Sequence, residues 1–278
     1  MSWWSIEVRA PAEHKETVGA WLVARTGHAV EEREDHTLIA FATDEQAASR
    51  LVAELGAETT GRVALGPRLV ESVDWSLHWR EGLGIRRLGR VSIIPSWLPE
   101  SANPGAWGVV LDPETAFGSG EHGSTRVALI LLDRLLRADD LVLDLGSGSG
   151  ILAIAAAKLG AARVTGIELD PEAVRVAERN ATRNRVSERV EFLEGDAGAL
   201  APLLGPGDLV LSNILRSVNV TLLPKVAAGL KAGGVAIFSG MEEAEAADFL
   251  AALDQARFSP VEEAIDDGWW GVATRRAE

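Results

Sequence analysis

The chain contains no cysteine. That absence excludes disulfides and thiolate metal sites and fits a reducing compartment. No apolar run approaches the roughly 18 residues that a membrane span requires, so no membrane partner is expected. The opening MSWWSIEVRA carries an acid and a base and lacks the apolar stretch of a secretory signal, which points to a cytoplasmic location. Basic residues are in deficit: 27 Lys and Arg face 41 Asp and Glu, a formal net charge of -14. Docking along a phosphate backbone depends on Lys and Arg neutralising phosphates, so no direct nucleic-acid contact is required. A basic partner is the more natural one, although acidity also maintains solubility. His14, His28, His36, His78 and His122 show no metal-ligand spacing such as H-E-x-x-H, and no metal is expected. No G-x-S-x-G elbow occurs, so a serine hydrolase is not signalled either.

What is present is an ordinary globular composition over 278 residues, enough for one large domain and a small one. Residues 1–65 read as the small unit. A strand in SWWSIEVRA is followed by Pro11 at a first helical position. The helix carries Val18, Trp21 and Leu22 on one face and stops at Gly27. AVEERED and HTLIAFAT look like strands joined by a polar turn. A helix from Asp44 puts Ala48, Leu51, Val52 and Leu55 on one stripe and ends at Gly56, and GRVAL supplies a last strand. The order β-α-β-β-α-β is that of a ferredoxin-like α+β domain. Its acidic turn, Glu31, Glu32, Glu34 and Asp35, reads as a solvated edge or as a docking face for a basic protein.

Residues 66–105 form a connecting region that is too apolar for a loose linker, with Trp75, Trp79, Trp97, Pro95, Pro99 and Pro104. A short helix over 72–80 and then strand-like packing are expected. From 106 to 278 strands and helices alternate, through LVLDLGSG, RVTGIELD, VEFLEG, DLVLSNIL and GVAIFSG. SPVEEAIDD and WWGVATRR close the chain as an antiparallel pair. Such alternation predicts an α/β, doubly wound, mostly parallel sheet with an antiparallel last strand, and a ligand at the carboxyl ends of the strands.

The stretch LDLGSGSGI offers Gly146, Gly148 and Gly150 but places Ile151 where a dinucleotide fingerprint needs its third glycine. Asp144 beside the turn would repel a pyrophosphate, which argues against a nicotinamide oxidoreductase. The same carboxylate would attract an ammonium and a sulfonium, the two cationic groups of S-adenosylmethionine. Gly146 and Gly148 would let the backbone approach that ligand. Glu168, at the end of the second strand of this domain, can accept both ribose hydroxyls, and Asp196, after the third, can accept from the adenine amino group. Acids at strand ends also cap helices, but three at successive strand ends form a set.

These residues lead to a resemblance. LDPETAFGSGEHGSTR is similar to the A-F-G-T-G-x-H-x-T-T segment of the methyltransferases that modify ribosomal protein L11, and LDLGSGSGILAIAAAKLGA and SNIL continue the match in order. The resemblance implies a Rossmann-like class I S-adenosylmethionine-dependent fold and a protein N-methyltransferase acting on lysine side-chain and/or N-terminal amines of L11. It implies that the small first domain recognises the substrate. It also implies that Phe117, Gly118 and Gly120 lie along the methionine end of the cofactor, with Thr125 hydrogen-bonding there and His122 in either a structural or a chemical role. Asn213, after the fourth strand, would be the catalytic residue that positions the acceptor nitrogen and would also contact the cofactor. No N-P-P-Y follows, which favours an aliphatic amine over a planar amide in an in-line displacement. Glu114, where the family has glycine, and LGIRRLG, which lacks a proline, depart from the pattern near the substrate entrance. A lysine methyltransferase for another protein, such as electron-transfer flavoprotein, and a non-catalytic cofactor-binding module are the rival readings.

Overall fold

The computed structural model describes residues 3–9, 11, 14–26, 31–32, 37–58, 63–70, 84–98, 105–112, 118 and 120–276. The chain divides into two compact units, Met1–Gly82 and Leu83–Glu278. Glu34, Asp35, the expected helix over 72–80, Glu114 and Phe117 lie outside the described residues. Among the described residues no helix is long and apolar enough to cross a membrane.

The first unit contains β1 (Trp3–Arg9), α1 (Lys15–Thr26), β2 (Glu31–Glu32), β3 (Thr37–Ala42), α2 (Glu45–Glu58) and β4 (Val63–Val70). Its antiparallel sheet has the order β2-β3-β1-β4, the ferredoxin-like arrangement expected from the element order. Ile6 and Val8 of β1 meet Val18 and Leu22 of α1 and Ala48, Leu51 and Leu55 of α2 in one core. Two helix limits differ from the sequence reading. Pro11 stands outside α1, which starts after a turn in which the His14 amide donates to the Pro11 carbonyl at 2.9 Å. The second helix begins as expected, with the Asp44 carboxylate capping the Ala47 amide at 2.8 Å, but continues past Gly56 to Glu58. An interior glycine costs only about 1 kcal/mol, less than the adjoining burial of Leu55 supplies.

The second unit opens with a three-stranded sheet, β5 (Arg86–Leu88), β6 (Val91–Pro95) and β7 (Gly108–Leu111), in that order. After α3 (Gly123–Leu135) come β8 (Leu141–Leu145), α4 (Ile151–Leu159), β9 (Arg163–Glu168), α5 (Pro171–Arg183), β10 (Val190–Glu194), α6 (Ala197–Leu204) and β11 (Gly207–Asn213). The unit ends with α7 (Arg216–Gly229), β12 (Leu230–Glu242), α8 (Ala246–Gln255), β13 (Phe258–Asp266) and β14 (Trp269–Arg276). Seven strands form one sheet in the order β10-β9-β8-β11-β12-β14-β13. The first five are parallel, β14 pairs antiparallel with β12 and β13 antiparallel with β14, which is the doubly wound sheet with an antiparallel close.

Strand alternation sends side chains to two cores. Val142, Leu209, Leu211 and Ile237 face α3, α4 and α5. Leu143, Leu145, Val210 and Phe238 face α6, α7 and α8. Helix α4 is buried on every side, as its composition predicts: Ile151 through Ala157 are all buried. Strand β8 has β9 on one side and β11 on the other. The crossover direction therefore reverses there, and a crevice opens at the carboxyl ends of these strands.

Candidate active site

A cavity of about 620 Å³ occupies that crevice, within the range of about 300 to 1,000 Å³ usual for small-molecule sites. One wall is the turn between β8 and α4. Gly146, Gly148 and Gly150 have φ of 71°, 51° and 81°, left-handed values that side chains resist. A Cβ on Gly146 would also come within 2.7 Å of the Ile214 side chain, and one on Gly150 within 2.7 Å of the Phe192 ring. The turn is therefore glycine-rich for two reasons, backbone hand and close approach.

Glu168, at the end of β9, lies on the cavity wall and anchors the turn. Its Oε2 accepts from the Gly148 amide at 2.9 Å, and its Oε1 accepts from Leu169 and Asp170 at 2.8 and 3.0 Å. Asp196, after β10, caps α6 by accepting from the Ala199 amide at 2.8 Å and also reaches the cavity. Asn213, the last residue of β11, is held from both ends of its amide. Nδ2 donates to Thr125 Oγ1 at 3.1 Å, and Oδ1 accepts from Ser239 Oγ at 2.9 Å.

Gly118, Gly146, Gly148, Glu168, Asp196 and Asn213 thus share one cavity. The other sequence candidates are placed differently. Thr125 is fully buried behind Asn213. Gly120 is buried where a Cβ would meet Ile93 at 3.1 Å. Asp144 is only 1% exposed and sits beneath the turn, off the cavity wall. Its Oδ2 accepts from the Ala153 amide at 3.1 Å, while Oδ1 is buried without a partner. Burial, opposed by the Ala153 bond and reinforced by the nearby Glu168, pushes the Asp144 carboxyl up to about 7.

Several wall residues had no signal of their own in the sequence, among them Ser147, Trp269 and Gly240. Ser147, in the turn, has a buried hydroxyl with no partner. Trp269 arrives from the β13–β14 hairpin and packs its ring 4.2 Å from His122. Gly240 backs the turn after Asn213, where a Cβ would strike the Ile214 backbone at 2.3 Å. His122 itself reaches Ser124 Oγ at 2.7 Å through Nδ1. Burial, and then the charge of Arg126, holds its imidazole below the ordinary histidine value.

The charge of the wall is one-sided. Among its described residues the acids are Glu168 and Asp196, and neither Lys nor Arg is present. A pyrophosphate would find no counter-charge there, whereas a cationic ligand finds two carboxylates and, close behind the turn, the orphaned oxygens of Asp144 and Ser147. The residues present therefore fit S-adenosylmethionine. Among the described residues there is no group of three His, Cys, Asp or Glu able to hold a metal ion.

The chain is also similar to known proteins. The family model described as Ribosomal protein L11 methyltransferase (PrmA) matches residues 5–277. A ribosomal protein L11 methyltransferase of Chloroflexus aurantiacus is 38% identical over 240 residues, 77% of this chain and 73% of the relative. One from Pelotomaculum thermopropionicum is 38% identical over 213 residues, covering 76% and 68%. A crystal structure of the ribosomal protein L11 methylase of Lactobacillus delbrueckii subsp. bulgaricus superposes with a TM-score of 0.63 at 31% identity, covering 70% of this chain and all of that one.

Proposed function

Since this chain belongs to the ribosomal protein L11 methyltransferase family, we propose that it methylates amines of ribosomal protein L11, on lysine side chains and/or the N-terminus. The enzyme is an S-adenosylmethionine-dependent methyltransferase. The observation that carries the reading is the cavity wall at the carboxyl ends of β8 to β11, acidic and without Lys or Arg among its described residues. A net charge of -14 suits a basic protein substrate, and no direct contact with RNA is needed. A ribosomal substrate supports a cytoplasmic location.

Each wall residue then takes a role. The turn at Gly146 and Gly148 admits the cofactor backbone-close, Glu168 accepts the ribose hydroxyls, Asp196 accepts from the adenine amino group, and Gly118 borders the methionine end. Asp144 acts from below, through its charge or through a water. S-adenosylmethionine supplies an electrophilic methyl group on a sulfonium. The protein must present a neutral amine to it. A lysine amine in water titrates near pH ~10.4, so holding it neutral at pH 7 costs about 4 to 5 kcal/mol. Ile214, Leu215, Val218 and Trp269 are apolar residues of the wall, and an amine that the bound substrate packs against them would be desolvated and its pKa lowered. Asn213, fixed by Thr125 and Ser239, orients the acceptor nitrogen. The first unit, with its own core, recognises the protein substrate.

Mass spectrometry of ribosomal proteins incubated with enzyme and S-adenosylmethionine tests the proposal. Added methyl groups on L11 are expected. Methylation of a different protein would reassign the substrate, and no transfer at all would leave only a binding module.

A further inference from the structure

Two asparagines on α5 treat the free edge of β7 as a partner strand. Asn184 Oδ1 accepts from the Val110 amide at 2.8 Å, and its Nδ2 donates to the Val110 carbonyl at 2.6 Å. Asn180 repeats the pattern two residues on, accepting from the Asp112 amide at 3.1 Å and donating to the Asp112 carbonyl at 3.0 Å. The geometry allows this because one helical turn rises about 5.4 Å, close to the roughly 6.6 Å between alternate strand residues that point the same way. Both side chains are buried. On its other edge β7 is paired with β6, so the two amides take the place of a neighbour strand among the described residues.

Beyond β7 the two residues differ. Asn184 gives its second hydrogen to the Asn180 carbonyl, within its own helix, at 2.8 Å. Asn180 gives its second hydrogen to the carbonyl of Ser149, inside the glycine turn, at 3.0 Å. Ser149, itself fully buried, donates from Oγ to the Gly118 carbonyl at 2.6 Å. Asn180 Oδ1 also accepts from Arg183 at 2.7 Å, so every donor and acceptor of the Asn180 amide is engaged. One side chain therefore ties together the end of β7, the glycine turn and, through Ser149, the Gly118 side of the cavity.

We infer that Asn180 is a positioning residue for cofactor binding, setting the spacing between the glycine turn and Gly118, while Asn184 serves the strand alone. The inference rests on the cavity being the S-adenosylmethionine site. A merely structural pair would lose stability and binding in step, whereas a positioning role separates them.

The test compares full-length Asn180→Ala, Asn184→Ala and Ser149→Ala by thermal unfolding and by calorimetric titration with S-adenosylhomocysteine. Asn184→Ala is expected to lower Tm and keep the wild-type Kd. Asn180→Ala should lower Tm by a similar amount and weaken binding about tenfold, and Ser149→Ala should weaken it about threefold to tenfold with a smaller fall in Tm, as loss of one or two buried hydrogen bonds implies. Equal Kd changes in Asn180→Ala and Asn184→Ala overturn the inference. If Asn180→Ala does not fold, a wild-type Kd for Ser149→Ala overturns it instead. A wild-type protein that takes up no S-adenosylhomocysteine would show that the cavity reading itself is wrong, and the inference falls with it.

Discussion

Asp144 and Ala153 are joined by a 3.1 Å bond from the Ala153 amide to Asp144 Oδ2, which fastens the end of β8 to the first turn of α4 beneath the glycine turn. The other oxygen is buried without a partner, so the carboxylate is costly as an anion unless a positive charge comes near. Asp144→Asn keeps an acceptor for Ala153 and removes the ionisation. Its Tm at neutral pH should equal or exceed that of the wild type, while S-adenosylmethionine affinity falls about tenfold, the equivalent of about 1.4 kcal/mol. Scanning and titration calorimetry on the same samples check this, and a fall of both together would make Asp144 structural only.

The same carboxyl predicts a pH dependence. Its folded pKa of about 7 lies above the ordinary aspartate value of 3.8, so the folded state favours the protonated form. Stability from this group is fully present below about pH 4 and is lost as pH rises through about 7. A bound cation favours the ionised form, so S-adenosylmethionine affinity should rise with pH through that same window, with protons released on binding. S-adenosylhomocysteine lacks the sulfonium and should show a shallower slope. Equal slopes for the two ligands in titrations on both sides of pH 7 would remove Asp144 from the account.

Glu168 serves three backbone amides, from Gly148, Leu169 and Asp170. Glu168→Ala loses the turn's anchor and the proposed ribose acceptor together. Cofactor affinity is expected to fall about tenfold to a hundredfold, on the scale of charge-assisted hydrogen bonds. Glu168→Gln should recover part of the loss, because its single amide oxygen can replace only one of the two carboxylate oxygens. Equilibrium binding of S-adenosylhomocysteine measures both.

Asn213 faces the cavity with its amide held by Thr125 and Ser239. For Asn213→Ala, kcat should drop by about a hundredfold or more, in line with loss of an orienting group, with cofactor Kd within about twofold of wild type. Single-turnover methylation assays decide it. Unchanged turnover would mean that the acceptor is oriented elsewhere.

All the described residues that line the cavity belong to the second unit. Deletion of residues 1–82, a cut that spares the second unit and removes β1 to β4 together, should leave S-adenosylhomocysteine binding intact and abolish methylation of L11. A truncated protein that methylates L11 at the wild-type rate would show that the first unit does not recognise the substrate.

Local pattern carried much of this fold. The helix start at Asp44, the all-round apolar α4 and the alternating strands are visible because caps and periodicity are properties of neighbouring residues. Helices α6 and α7 escaped delimitation because Pro202 and Pro224 stand inside them, and a proline in a helical pattern reads as a stop. Strand β12 proved longer than GVAIFSG because Leu230 packs at its start, while the glycines after it read as a loop.

The sequence by itself determined the chemistry class: acids at successive strand ends beside a glycine turn specify a cationic ligand, since charge and backbone hand are written in residue type. Only the tertiary structure decided which of those acids touch the cavity. Glu168 and Asp196 reach it, whereas Asp144, on the same kind of strand end, is drawn under the turn by the Ala153 amide. Trp269 and Asn180 joined the account only when distant segments were brought within a few ångströms of the site, because cavity walls and hydrogen-bond partners depend on long-range packing that no local pattern encodes.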